Sequence, residues 1–258
     1  MAEILIKAAS FVAIIIMGNV LRRKGFFREE DFYVLSKIVL KITLPAAIIS
    51  NFSGIVLQPS MLVMSLLGFG GGALLVLLAF LVCAGKSRDE KAFHVLNLTG
   101  YNIGNFTMPF AQSFLGPLGV VATSIFDSGN AFICLGGTFS LAVMIKEGRG
   151  GIRPGPIIKT LFHSVPFDAY VLMIILSLLH IPLPAAVTSF TGIIAGANGF
   201  MAMLMIGVGF KLSGGREQTG RIVKILGIRY SVSVALAAAF YLLLPLGQNT
   251  ARPWQFWP

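Results

Sequence analysis

The chain reads as an all-α membrane protein, a bundle of apolar helices, on three observations. Its 258 residues are 56% hydrophobic and 12% charged, with a mean hydropathy of +0.85. Its apolar residues gather into stretches that match the roughly 20 helical residues needed to cross about 30 Å of hydrocarbon. The connections between these stretches alternate between rich in Lys and Arg and devoid of them, as loops on opposite sides of a bilayer do. This composition excludes a soluble globular domain and intrinsic disorder. The formal charge of +10 does not indicate a nucleic-acid partner, because there is no soluble core to carry a water-facing basic surface. Cys83 and Cys134 lie in apolar runs that hold no partners for a disulfide framework or a zinc site.

Eight stretches qualify as spans. Span one runs from Ile4 to Leu21. Glu3 precedes it and no small-residue cleavage pattern follows, so it reads as a mature helix and not a signal peptide. Span two, Tyr33 to Leu57, carries Leu44-Pro45-Ala46-Ala47 in mid-run with Asn51 beyond. Span three, Met61 to Ala84, holds Gly70-Gly71-Gly72, which permits close helix approach. Span four, Phe93 to Leu115, contains Gly100-Tyr101-Asn102-Ile103-Gly104-Asn105-Phe106-Thr107-Met108-Pro109, and span five, Leu118 to Ile145, contains Asp127-Ser128-Gly129-Asn130. Span six, Ile157 to Leu179, opens near Pro166 and Asp168, whose carboxylate is expected to reach water or Lys159 in a structural or gating role. Span seven, Leu183 to Phe210, has Gly196-Ala197-Asn198-Gly199 at its midpoint, readable as close packing or as an unwound turn opposite the break in span two. Span eight is Ile222 to Leu246. Leu183-Pro184-Ala185-Ala186 repeats the motif of span two at a different depth and reads as chance.

Arg22, Arg23, Lys24 and Arg28 follow span one; Lys86, Arg88 and Lys91 span three; Lys146, Arg149, Arg153 and Lys159 span five; Lys211, Arg216, Arg221 and Lys224 span seven. Those loops are expected in the cytoplasm. The connections at Gln58-Pro59, Gly116-Pro117 and His180-Ile181-Pro182 lack Lys and Arg, so they and both termini are expected outside it. Orientation alone explains Arg22-Arg23-Lys24, and membrane lipid is the surrounding partner.

Spoiled helices carry the functional argument, because a backbone group freed in hydrocarbon must find a partner. Pro109 removes a donor and clashes with the preceding turn, which predicts a discontinuous helix around Asn105. Asp127 lies about nine residues past the outer loop, hence about 13 Å deep at 1.5 Å per residue. An acid near the midplane points to a pathway or a proton relay. The bland alternative is a protonated Asp127 hydrogen-bonded to Asn102 or Asn105, holding the bundle together. His94, His163 and His180 sit near span ends, where solvated histidines are the expectation, and their spacing makes no metal site. Interrupted helices in carriers point half-helix termini at the substrate. On that pattern the amides from Thr107 to Phe110, with side chains of Asn102, Asn105 and Asn130, would hold a carboxylate while Asp127 carries a proton or sodium ion. No nucleotide-binding loop exists, so an ion gradient or another subunit must drive transport, and no cofactor is called for.

The run from Asn102-Ile103-Gly104 to Pro109, then Phe114-Leu115-Gly116-Pro117-Leu118-Gly119 and Ile125-Phe126-Asp127, resembles the auxin efflux carrier family in its bacterial branch. Lys37, Lys41 and Leu44-Pro45-Ala46 add to the likeness, and Ile206-Gly207-Val208-Gly209 extends it into span seven. The resemblance implies an inverted-repeat bundle with broken crossover helices, shared with bile-acid sodium symporters, and small-carboxylate transport. It carries over Asn102, Gly104, Pro109 and Asp127. Asn105 stands where the family commonly has an aromatic residue and Thr107 where it commonly has glycine, which implies a more polar pocket. The family has ten helices and this chain supplies eight: a first repeat over 1-145, three helices of a second over 146-246, and a tail over 247-258 that is too short and polar to span. That tail, with both Trp residues, reads as an interfacial anchor or as the result of an early stop or shifted frame, a C-terminally truncated carrier.

The leading reading is therefore a secondary active transporter of small organic anions such as mono- or dicarboxylates, in the plasma membrane, with a homodimer as the allowed assembly. A non-transporting binding or regulatory module, or an inactive truncated carrier, is the alternative. An intramembrane enzyme would need a nucleophile and base or a second deep acid, and a channel would need rings of like residues from an oligomer.

Overall fold

Each predicted span is helical in the computed structural model, which describes residues 2–53, 61–148, 154–211 and 216–243. Gln58-Pro59 and the tail over 247-258 lie outside the described residues. In chain order the helices are α1 (Ala2–Arg23), α2 (Asp31–Ile38), α3 (Leu44–Phe52), α4 (Leu62–Val82), α5 (Arg88–Leu98), α6 (Met108–Phe114), α7 (Gly116–Ala131), α8 (Thr138–Glu147), α9 (Pro154–Leu161), α10 (Val165–Leu178), α11 (Ala185–Gly209) and α12 (Arg216–Leu243). Three π turns, Val39–Thr43, Ile103–Thr107 and Phe132–Gly137, join α2 to α3, lead into α6 and join α7 to α8. Among the described residues, 6 helical runs are long and apolar enough to cross a membrane. The remaining spans are four and six, which are interrupted between α5 and α6 and between α9 and α10.

The prolines do not break their spans, contrary to expectation. Pro45 and Pro109 each sit in the first turn of a helix entered from a π turn. There the Leu44 amide donates to the Val39 carbonyl and the Met108 amide to the Ile103 carbonyl, five residues back. A π turn widens the helix locally and accommodates the change in hydrogen bonding that a proline forces. The break in span four lies earlier, at Thr99 to Asn102. Gly100 there takes φ +75, and a Cβ on it would stand 2.2 Å from the Cys134 sulfur, so only glycine suits the position. Span seven is not unwound either: α11 runs straight through Gly196-Ala197-Asn198-Gly199. Asn198 is fully buried and accepts a hydrogen bond from the Thr43 hydroxyl at 2.9 Å, which ties α11 to the π turn after α2.

Small residues set the closest helix contacts. A Cβ on Gly68 or Gly129 would meet backbone at 2.0 or 1.8 Å across the α4–α7 contact, and one on Gly72 would meet Ile133 at 2.8 Å. The expected Gly70 is not part of this seat, because a Cβ there meets open space. Gly18 and Gly207 do the same for α1 and α11. The main apolar core joins Leu44, Ile48 and Phe52 of α3 to Val121 and Ile125 of α7 and Ala169, Tyr170 and Met173 of α10. Outward-facing Ile193, Val234 and Leu242 are exposed; in water such surface would be a liability, whereas in a bilayer it is the lipid face.

The basic connections meet in pairs. Lys211 forms an ion pair with Glu29, and the Arg22 guanidinium donates to the Val208 carbonyl at 3.0 Å, so the loops after α1 and α11 lie side by side. The Lys211 ammonium holds the Glu29 carboxyl below its ordinary range. Lys146 lies 3.3 Å from Asp89, which joins the end of α8 to the start of α5. His94 departs from expectation: it is buried on α5, its Nδ1 2.8 Å from the Glu90 carbonyl, because α5 packs between α4 and α8.

Candidate functional site

A broken helix leaves carbonyls and amides without intrahelical partners, and in span four side chains from other helices supply them. Asn130 of α7 does most of this. Its Oδ1 accepts from the Tyr101 amide and its Nδ2 donates to the Tyr101 carbonyl, both at 2.9 Å. The same Nδ2 donates to Asp127 Oδ1 at 2.9 Å, and the Cys134 thiol donates to Asn130 Oδ1 at 3.3 Å. An amide side chain has two N–H donors and two acceptor lone pairs, so the capacity of Asn130 is fully used. It clamps the break open against α7. On the other side of the break, the Arg229 guanidinium of α12 donates to the Gly100 carbonyl and to the Asn97 carbonyl at 3.3 Å. A cation at the C-terminal end of half-helix α5 also complements its dipole.

Asp127 is 7% exposed and lies about 16 Å along the helix from Gly116 at 1.5 Å per residue. The Tyr170 hydroxyl of α10 donates to its Oδ2 at 2.7 Å. Its described partners are thus Asn130 and Tyr170, not the expected Asn102, because α7 turns the carboxylate toward α10. Gly104 makes room for this: a Cβ there would lie 3.4 Å from Asp127 Oδ2 and 2.9 Å from Leu44. Tyr170→Phe removes one of the two donors while keeping the packed ring, and should cost about 1 kcal/mol, the scale of a hydrogen bond within a membrane. Thermal unfolding in detergent checks this, and an unchanged midpoint would show the bond to be idle.

Asp127 and the break border one cavity of about 360 Å³, lined by Leu40, Leu44, Thr99 to Gly104, Asp127, Asn130, Ala131, Cys134, Pro166, Tyr170 and Arg229. Of the predicted site residues, the structure gathers Asn102, Gly104, Asp127 and Asn130 at this cavity. Thr107 is excluded from the wall: it is exposed and its amide and hydroxyl both turn back to the Asn102 carbonyl. The Thr107 and Met108 amides, expected to be free for substrate, are therefore occupied. The side chains of Asn105 and Pro109 lie outside the described ones. Asp168 is not a wall residue; its Oδ1 is buried without a hydrogen-bond partner in the first turn of α10.

Tyr170 and Arg229 were not anticipated from the sequence. A tyrosine inside an apolar run needs a partner for its hydroxyl, and an arginine well inside span eight needs one for its charge; both are legible signals once sought.

Comparison with known proteins accords with this picture. A family described as membrane transport protein matches residues 4–152, which takes in α1 through α8 and the break in span four. The chain is also 24% identical over 251 residues to an uncharacterized transporter of Methanothermobacter thermautotrophicus, covering 93% of this chain and 79% of that protein. No solved structure matches at a significant level. With its acid-bearing cavity beside an interrupted span and a family match over more than half its length, the chain belongs to the membrane transport protein family, that of the auxin efflux carriers, and is a multi-pass membrane transporter and not an enzyme.

Proposed function

We propose that the chain is a secondary active transporter of small organic anions, mono- or dicarboxylates, coupled to a proton or sodium gradient through Asp127. It works in the plasma membrane with both termini outside the cytoplasm. The observation that carries this reading is a buried carboxylate, held among the described residues by the neutral donors Asn130 and Tyr170, on the wall of a cavity beside a broken span. Such an acid can take up and release a cation as its surroundings change. Support also comes from the cavity wall itself, which draws on both the stretch over 1-145 and that over 146-246, the division into a first and a second repeat. Asn102 and Gly104 form the substrate wall and Asn130 fixes its shape.

The test is uptake of labelled malonate, malate and an aromatic carboxylate into proteoliposomes under imposed proton and sodium gradients. Accumulation that collapses with an ionophore for one cation is the expected result and names that cation. Saturable binding without accumulation would overturn the carrier reading in favour of a binding or regulatory module.

A further inference from the structure

Among the described residues the cavity wall carries two charged side chains, Asp127 and Arg229. The acid belongs to the mechanism proposed above, whereas the arginine so far does only structural work at the break. Arg229 lies about 20 Å along α12 from Arg216, at 1.5 Å per residue, well inside a span, where a cation is costly unless it faces a polar partner or an anion. Its described hydrogen bonds, to the Asn97 and Gly100 carbonyls, engage two N–H groups, and a guanidinium carries five in a planar fork suited to a carboxylate.

We propose that Arg229 is the residue that pairs with the substrate's carboxylate, and that the cavity accordingly selects an anion bearing one carboxylate. This rests on the transporter reading and names the substrate class for the same site. The charge inventory of the wall carries it. Among the described wall residues one cation is present to receive one carboxylate. A second carboxylate in a space of about 360 Å³ would find Asp127 and no second cation: a bare Asp127 repels it where water is scarce, and an Asp127 that has bound its cation is already neutralised and offers it no net positive charge. The rest of the wall near the break includes Leu40, Leu44, Ile103, Ala131 and Pro166, a lining for a compact apolar body. With the substrate on Arg229 and a cation on Asp127, both charges of the wall are matched in the loaded state, which is the condition under which they are least costly in a membrane.

Cys134 supplies the readout, because it lines the cavity and the other cysteine, Cys83, is fully buried. In full-length protein carrying Cys83→Ala, the alkylation rate of Cys134 by N-ethylmaleimide is followed against butyrate, butyramide and succinate, four-carbon probes with one, no and two carboxylates. Butyrate should halve the rate at a concentration at least about tenfold below that needed for either of the others, as expected of a site built around one ionic partner. Arg229→Gln should raise the butyrate concentration by about tenfold or more and leave butyramide unchanged, and Arg229→Lys should recover part of the loss. Equal protection by succinate and butyrate would overturn the single-carboxylate selection. Equal weakening of butyrate and butyramide in Arg229→Gln, or no weakening, would overturn the pairing and leave Arg229 as a cap on the break. If Arg229→Gln does not fold, wild-type protein and Arg229→Lys decide: equal protection of wild-type protein by butyrate and butyramide, or butyrate protection unchanged in Arg229→Lys, sinks the proposal. Butyrate protection without any gradient-driven uptake would leave the pairing standing and overturn the carrier reading, so the two fail separately.

Discussion

Replacing Asp127 by Asn is expected to reduce gradient-driven uptake to the passive leak while the protein stays folded. The substitution keeps the shape of the side chain and removes the group that can exchange a proton or bind a sodium ion. Its structural cost is bounded by the hydrogen bonds around it. The Tyr170 hydroxyl, 2.7 Å from Asp127 Oδ2, and Asn130 Nδ2, 2.9 Å from Oδ1, are both donors, and an Asn side chain offers one acceptor oxygen where a carboxylate offers two. With its oxygen turned to Asn130, the Asn side chain presents its N–H to the Tyr170 oxygen, and a hydroxyl can rotate to accept. Both contacts survive as hydrogen bonds between neutral groups, so the expected loss is about 1 kcal/mol. Uptake and thermal unfolding measured on the same preparation separate the two effects. Wild-type uptake rates in Asp127→Asn would remove Asp127 from ion coupling, and a protein that no longer folds would show that the carboxylate holds the bundle together, the bland role foreseen for it.

The largest effect on stability is expected from Gly129→Ala. The added Cβ would stand 1.8 Å from the Ser65 carbonyl oxygen and 2.9 Å from the Phe69 amide nitrogen, both backbone atoms of α4 that no rotamer change can move. Restoring ordinary contact requires α4 and α7 to part by more than an ångström. That would also stretch the Ser65–Ser128 hydroxyl contact of 3.0 Å and displace the turn that carries Asp127 and Asn130. Overpacking of this kind costs about 3 kcal/mol, or more where the backbone must shift. Gly68→Ala, aimed 2.0 Å from the Phe126 carbonyl oxygen, should behave alike. Gly70→Ala, which meets nothing within 4 Å, should stay within about 0.5 kcal/mol of wild type. Thermal unfolding of the three variants in one detergent is the check, and equal midpoints for Gly129→Ala and Gly70→Ala would refute the close packing of α4 on α7.

Much of this molecule can be read from residue order. Hydropathy over windows of a span's length places the helices, because the bilayer sets both the length and the polarity that each must have. The same rule singles out Asp127, since an acid in the middle of an apolar stretch is conspicuous wherever the helix later packs. The motif from Asn102 to Pro109 marked the interrupted span and the family. It misplaced the interruption, because proline is the conspicuous breaker and the π turns that absorb Pro45 and Pro109 leave no local mark. The actual break depends on Gly100 meeting Cys134 and on Asn130 clasping Tyr101, partners about thirty residues away and hence invisible to a local pattern.

By itself, then, the sequence determined the membrane class, the order of the spans and the deep acid, properties that a bilayer imposes along one dimension, and its motifs marked the family. Only the tertiary structure decided which donors meet Asp127, that Gly68 and Gly129 rather than Gly70 seat α4 on α7, and that Arg229 reaches the cavity from the last span. The reason is that buried polar groups must be satisfied by whatever side chains packing brings alongside. Those neighbours are set by three-dimensional contacts between distant parts of the chain, which no periodicity or loop charge records.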